Sequence, residues 1–569
     1  MADNENQQNK VFGSDVAADM LRALGVPYVA INPGASFRGL HDSIVNHLDN
    51  DDPKMLLTLH EAQAVAMAHG FAKVTGKPMG VILHANVGLM NAVMAIYDAY
   101  VDRVPMLIIG ATGAVDADRR RPWIEWIHTS RDQASMIRPF VKWDDQPASV
   151  PAMVESFLRA WAMTRTAPHA PTYVCLDVDI QEKECAHPGL PDVSRFDAWP
   201  ATTLMVEQVK AASLLIARAR RPLMLVGRHS RTDESWQERV AFAEKIGAIV
   251  ICDQKVGIGF PSDHPAFVSA PAQYPDKRTF KLIDEADLVI ALDWGDLNGL
   301  MRARSDKGRG VDTIIVSADE RLHNGWSYDH FPFSEANLRL PVLPEIFVRT
   351  LLTSVSAKTF DWEVSPAVLP DLPSTGPVTV PTLVAAVERV RGKRSICYTR
   401  MAFGAPDALL KITGPLDLIG YDGGGGIGST PGITVGVALA LNGTGRLPVS
   451  IIGDGDLLMG SQALWTAAAQ KVPCLFIVNN NASFYNDVEH QEMVAIRRGR
   501  NVENKYIGMA ITDPEVSLTG LAASYGFSVF GPVGQIEDLD DVLEQAFLAA
   551  EAGGQILVDV TTLPPPPRS

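Results

Sequence analysis

The residues able to do chemistry in this 569-residue chain gather at the ends of a few apolar runs. The run VSII leads into Gly453-Asp454-Gly455, and 27 positions after Asp454 stands Asn481, at the end of CLFIVNNN. Asp and Asn offer hard oxygens of the kind that octahedral Mg2+ takes. Glycines there let the backbone approach a phosphate, and a helix starting at that point presents free N–H groups. The pattern predicts a metal–diphosphate site. A second glycine run, GGGGIG at 423–428, contains G-x-G-x-x-G through Gly423, Gly425 and Gly428, which alone is weak support for a dinucleotide site. Glu61 ends LLTLHE, where a carboxylate suits a helix N-terminus. His84 ends GVILHA, 23 residues later, and an imidazole can carry protons near neutral pH.

These positions need a scaffold that brings strand ends to one edge. VPYVAIN, LLTLHE, GVILHA, PMLIIGAT and PTYVCLDVD alternate with helical patterns such as AQAVAMAHGFAKVTG and GLMNAVMAIYDAYVD. PLMLVG, AIVICD, ADLVIALD and TIIVSAD follow, then DLIGYD, VSIIGDGD, CLFIVNNN and QILVDVT. Apolar strands alternating with helices predict buried parallel sheets. Their carboxyl edges are where such sheets bind ligands. The fold class expected is α/β, with three doubly wound parallel-sheet domains at 11–185, 205–350 and 378–563. Two proline-rich stretches separate them. One lies around 184–204; the other, around 357–381, holds Pro366, Pro370, Pro373, Pro377 and Pro381. A PPPP tail occupies 564–567.

Composition narrows the classes. Net charge is −16, from 50 basic and 66 acidic residues, so the surface repels phosphate backbones and no nucleic-acid partner is expected. No apolar run reaches the ~18 residues of a membrane span. The first ten residues are polar, so no secretory leader is expected. Five widely spaced cysteines without a C-x-x-C predict neither a disulfide framework nor a zinc site, which suits a reducing cytoplasm.

The spacing from Gly453-Asp454-Gly455 to Asn481 resembles the signature of thiamine-diphosphate-dependent enzymes. The chain is similar over nearly its whole length to the acetolactate synthase, pyruvate oxidase and benzoylformate decarboxylase group. The resemblance implies pyrimidine-binding, middle and diphosphate-binding domains in that order. It implies that Asp454, Asn481 and the Ser483 carbonyl hold Mg2+, with Gly453 and Gly455 at the diphosphate. It casts Glu61 as the carboxylate at the cofactor's pyrimidine, Gly425 as a carbonyl contact to the pyrimidine amine, and Ile427 as the wedge that bends the cofactor. His84 matches a catalytic histidine of benzoylformate decarboxylase and becomes a candidate proton shuttle. Gln133, in HTSRDQASMIR, resembles a pocket glutamine of the synthases, and His60 is a lesser candidate. A homodimer or homotetramer with active sites between subunits is implied.

The departures concern substrate. Ala35 stands where the decarboxylase pattern has a serine, and that enzyme's middle-domain histidine has no counterpart near Asn298. Asp456 follows the metal motif where a small residue is commoner, and Tyr485 and Asn486 line either a pocket or a solvated loop. Arg119-Arg120-Arg121 suggests a basic turn or an anion clamp, and WIEWIH (123–128) a covered domain interface. The expected reaction is C–C bond cleavage or formation at a 2-oxo acid, aldehyde or diketone. Decarboxylase, carboligase and diketone-cleaving hydrolase all stay open. A non-catalytic cofactor-binding protein and a nicotinamide dehydrogenase are the readings outside that class.

Overall fold

The computed structural model describes residues 10–272, 275–304, 310–319, 334–364 and 369–563. Pro366 and the PPPP tail lie outside the described residues. Two compact units are present, 1–201 with 422–440, and 202–421 with 441–569.

The first unit carries a six-stranded parallel sheet. Its spatial order is Lys54–Leu57, Tyr28–Ile31, Gly80–Leu83, Met106–Thr112, Pro171–Asp177, Trp143–Asp145. Met106–Thr112 and Pro171–Asp177 are buried along their whole length, which explains why their sequences are mostly apolar rather than alternating. From Tyr28–Ile31 the chain steps outward to Lys54–Leu57 and then crosses back to Gly80–Leu83. The ends of Tyr28–Ile31 and Gly80–Leu83 therefore flank a topological switch point, the place where open α/β sheets leave a crevice. Part of the first proline-rich stretch is ordered as a strand, with Glu184–Ala186 pairing antiparallel to Lys10–Phe12.

The second unit holds two further parallel sheets. One runs Phe267–Ser269, Ile249–Cys252, Pro222–Val226, Leu288–Leu292, Asp312–Val316, Leu338–Leu340. The other runs Ile396–Arg400, Leu447–Gly453, Cys474–Asn480, Gln555–Thr561, Ser528–Val533. The three parallel α/β sheets expected from the sequence are thus present. One strand was misplaced. DLIGYD is not a strand: Leu418 makes an isolated bridge to Tyr398, and the backbone bends at Gly420, whose φ is 86°. The edge strand is instead Ile396–Arg400, whose mixed sequence ICYTR hides its burial. All five cysteines are free thiols, and four of them are buried. No described helix is long and apolar enough to cross a membrane.

Within the first unit the helix Glu61–Thr75 crosses the helix Thr430–Leu441 at close range. A Cβ at Gly70 would overlap the carbonyl of Ile433, and one at Gly436 the carbonyl of Met67. Gln63 locks the crossing, donating Nε2 to Gly428 O at 2.8 Å and accepting from Gly432 N at 3.0 Å. The glycine run before Thr430–Leu441 is thereby held over a buried polar cluster on the helices Glu61–Thr75 and Ala85–Val101. Asp98, 0% exposed, accepts from Ser429 Oγ at 2.8 Å. Asp102 meets His69 at 2.8 Å and Lys73 at 2.5 Å. Burial, with the charge of Asp422 nearby, pushes the Asp98 carboxyl up to about 8.

Two outcomes follow. Gly436→Ala is expected to cost about 2–4 kcal/mol, because backbone carbonyl atoms cannot yield as a side chain can. Denaturant or thermal midpoints beside those of Gly310→Ala, where a Cβ meets open space, provide the check. Asp98 is neutral when folded and charged when unfolded between pH about 4 and about 8, so the unfolded chain binds fewer protons. Stability then falls as pH rises through that window, by at most about 1.4 kcal/mol per pH unit. Asp98→Asn removes the dependence, so its gain in melting midpoint over wild type is larger at pH 8 than at pH 5; equal differences at both pH values would refute the assignment.

Candidate functional site

In the second unit, Gly453 is paired in register with Asn479, so the next residues of both strands emerge side by side. Asp454 opens the helix Asp454–Gly460 and is buried. Asn481 follows Cys474–Asn480, and Ala482 turns the chain with a φ of 51°, rare for a residue with a side chain. That turn aims Ser483 N at both partners. It donates to Asp454 Oδ2 and to Asn481 Oδ1, each at 3.1 Å. Two side-chain oxygens converge on one nitrogen, a donor set that suits a hard divalent cation. Burial pushes the Asp454 carboxyl up to about 6, against hydrogen bonds from Gly455 N and Ser483 N. A cation would reverse that direction. No cluster of three or more His, Cys, Asp or Glu is found among the described residues.

The two motif glycines differ. A Cβ at Gly453 meets open space, whereas one at Gly455 would lie 2.5 Å from the Phe484 ring. Gly455 is therefore fixed by packing against the next loop. The stretch from Asp454 onward forms two helices, Asp454–Gly460 and Gln462–Gln470, broken at Ser461. Asp456 is buried on the first turn. Tyr485 and Asn486 open a helix, Tyr485–Arg497, with Tyr485 buried, so they do not sit in a solvated loop.

In the first unit, Glu61 begins the helix Glu61–Thr75 and is 7% exposed. Asn91 donates Nδ2 to its Oε2 at 3.0 Å, and a Cβ at Gly88 would stand 3.2 Å from its Oε1. Gly88 and Asn91 both come from Ala85–Val101, which supplies the wall around the carboxylate. Neither was singled out from the sequence, though both lie one turn apart in GLMNAV. His60 spends Nδ1 on capping the helix, accepting from Ala62 N at 3.1 Å.

His84 closes Gly80–Leu83 at the switch point, and Ala85 after it has a φ of 45°. Its Nδ1 is 2.8 Å from Ser36 Oγ. Gly34 leaves no room for a Cβ against the ring. Burial lowers the His84 pKa, His128 and Arg121 lower it further, and the Glu61 carboxylate opposes them. The serine absent at position 35 is thus present one residue on, turned toward the histidine.

Gln133 is buried, donating to Ala111 O at 3.0 Å and to Tyr173 Oη at 2.9 Å. Gly425 has a φ of 77° with open space at its Cβ position, a conformation that calls for glycine. Ile427 is an exposed apolar side chain. The three arginines are all engaged: Arg119 with Asp179, Arg120 with the carbonyls of Ala114 and Val115, and Arg121 with Glu125. Trp123 and Trp126 stand 86% and 79% exposed, so among the described residues nothing covers these two side chains, although Glu125 between them is buried.

Models of the thiamine pyrophosphate enzymes match three segments. The N-terminal TPP-binding domain matches 12–136, the central domain 209–304 and the C-terminal TPP-binding domain 402–560. The chain is 25% identical over 566 residues to the probable 2-ketoarginine decarboxylase of Pseudomonas aeruginosa, covering 94% of this chain and 91% of that one. It is 24% identical to benzoylformate decarboxylase of the same organism, covering 96% and 98%. An acetolactate synthase large subunit of Haemophilus influenzae is 24% identical over 50% of this chain and 48% of its own. The fold matches that of benzoylformate decarboxylase from Polynucleobacter necessarius with a TM-score of 0.80, at 22% identity, over 97% of this chain and 98% of that one. Three matched domains in one order, together spanning more than half of the chain, support a single conclusion: this protein belongs to the thiamine pyrophosphate enzyme family, in the group of decarboxylases and acetolactate synthases.

Proposed function

We propose that the protein is a thiamine-diphosphate- and Mg2+-dependent enzyme that breaks the C–C bond beside the carbonyl of a 2-oxo acid, releasing CO2. The observation that carries this reading is the pair Glu61 and His84, a buried carboxylate fixed by Asn91 and an imidazole fixed by Ser36 at the crevice of the N-terminal sheet. The two relatives matched over nearly their full length are named as decarboxylases, whereas the synthase match spans half. Carboligation to an aldehyde acceptor is the second reading, favoured by those synthase matches.

The cofactor, when bound, supplies the electron sink that C–C cleavage needs. Asp454, Asn481 and the Ser483 carbonyl would hold the metal, and Gly453, with open space at its Cβ position, would leave its backbone open to the diphosphate. Glu61 would hold the pyrimidine side of the cofactor through its carboxylate, with Gly425 offering a backbone carbonyl and Ile427 an apolar side chain there. His84, with Nδ1 held by Ser36, keeps Nε2 to move a proton to or from the substrate. Gln133 supports this wall from its buried position. The working assembly is a homodimer or homotetramer in the cytoplasm, with active sites between subunits.

Glu61→Gln is expected to leave folding and cofactor binding near wild type and to lower kcat at least about 100-fold, the scale of acid–base catalysis. Steady-state kinetics beside a cofactor titration check it, and near-wild-type turnover would sink the mechanism. Asp454→Ala is expected to abolish retention of thiamine diphosphate; unchanged affinity by calorimetry would remove the metal assignment. Purified protein with both cofactors, offered pyruvate, benzoylformate, 2-ketoarginine and cyclohexane-1,2-dione with and without an aldehyde, decides the chemistry by mass spectrometry. CO2 with free aldehyde supports decarboxylation. Acyloin or acetolactate supports the second reading, and a ring-opened acid replaces both with diketone cleavage.

A further inference from the structure

A second histidine reaches the site from a segment that sequence spacing does not connect to it. The His128 ring lies 4.9 Å from the His84 ring between centroids, with the planes at 85°, edge to face. Its place is fixed on both sides. Asn86, two residues after His84, donates Nδ2 to Ile127 O at 3.2 Å, which ties the loop to the turn that carries His84. Thr129 donates Oγ1 to Glu125 O at 2.7 Å. Glu125 itself is buried, pairs with Arg121 at 2.5 Å, and fills the space that a side chain at Gly113 would need. His128 Nδ1 is buried without a hydrogen-bond partner among the described residues. His84 is thus gripped by Ser36 at Nδ1 and by His128 across its ring.

We propose that His128 is a positioning residue that acts through His84, fixing the imidazole plane against Ser36 and denying the pair a second positive charge. The inference rests on His84 being the proton carrier of the reaction proposed above. Its physical basis is that two positively charged imidazoles in edge-to-face contact repel each other, so His128 disfavours protonation of His84. The other charged groups facing His84 are Glu61, which favours the protonated ring, and Arg121, which disfavours it. Glu125 offsets Arg121 through their ion pair. The pair thus sets a second histidine of the first unit beside His84.

The test begins without substrate. His84 is followed by NMR of histidine labelled with 13C at Cε1 in the full chain, with His84→Ala assigning the signal. In wild type its midpoint lies below the ordinary histidine range. His128→Phe keeps the ring packing and burial but removes the charge, so the His84 midpoint rises by about half a pH unit or more. On the substrate identified by product analysis, the acid limb of the kcat/KM profile moves up with it. His128→Ala, which also loses the packing, lowers kcat about tenfold with KM and cofactor affinity held, and His128→Phe restores most of that loss. An unchanged His84 midpoint in His128→Phe, or wild-type kcat in His128→Ala, overturns the proposal. If His128→Ala does not fold, the His128→Phe titration decides. A shifted midpoint with no turnover of any 2-oxo compound supports the pairing and sinks the functional reading instead.

Discussion

The first unit depends on one close approach, the crossing of Glu61–Thr75 with Thr430–Leu441. Backbone meets backbone there because Gly70 and Gly436 carry no side chain, and Gln63 bridges the gap with both ends of its amide. An amide that both donates and accepts in a buried setting is a strict register pin, since a shift of one residue would leave two polar groups unpaired. The helix that begins with Glu61 and the glycine run that carries Gly425 and Ile427 are thereby fixed together, although some 360 residues of chain separate them. Everything assigned to the pyrimidine side of the cofactor hangs on that pin.

The same crossing accounts for the buried polar cluster beneath the glycine run. Asp98, Asp102, His69 and Lys73 are too many ionisable groups for an apolar core, and burying them is costly unless they pair. They do pair, with one another and with Ser429. Asp98 settles the remaining charge by staying protonated near neutral pH. A loop of four successive glycines has little rigidity of its own, and this cluster supplies it from below.

The two sides of the chemistry follow different design rules. At Asp454 and Asn481 the geometry is local: two adjacent parallel strands, one positive-φ turn and a single shared N–H. Around Glu61 and His84 it is assembled from separate segments: Ser36 from the turn after Tyr28–Ile31, Asn86 and Asn91 from the helix Ala85–Val101, and His128 from the loop WIEWIH. Catalytic groups that must hold a proton at one atom need such support, because a free carboxylate or imidazole samples many orientations.

What the sequence determined by itself was whatever a short span can encode. Mostly apolar runs foretold buried parallel strands, and the motif from Gly453 to Asn481 foretold that Asp454 and Asn481 meet, since neighbouring strand ends fix both residues. His84 stood out as a polar residue at the end of the buried strand Gly80–Leu83, and Glu61 as a carboxylate at a helix start beyond the edge strand Lys54–Leu57. DLIGYD was misread because its composition suits a strand while Gly420 bends its backbone. Only the tertiary structure decided that Gly455 answers to Phe484, that Gln133 is locked against Tyr173, and that Asn91 and Ser36 hold the two catalytic candidates. His128 belongs to the same class: a loop residue in WIEWIH has no periodicity to announce it, and its meaning comes from the ring it touches. Such contacts are set by which segments the sheet order brings to one crevice, and that order is a property of the whole packed unit, absent from any window of residues.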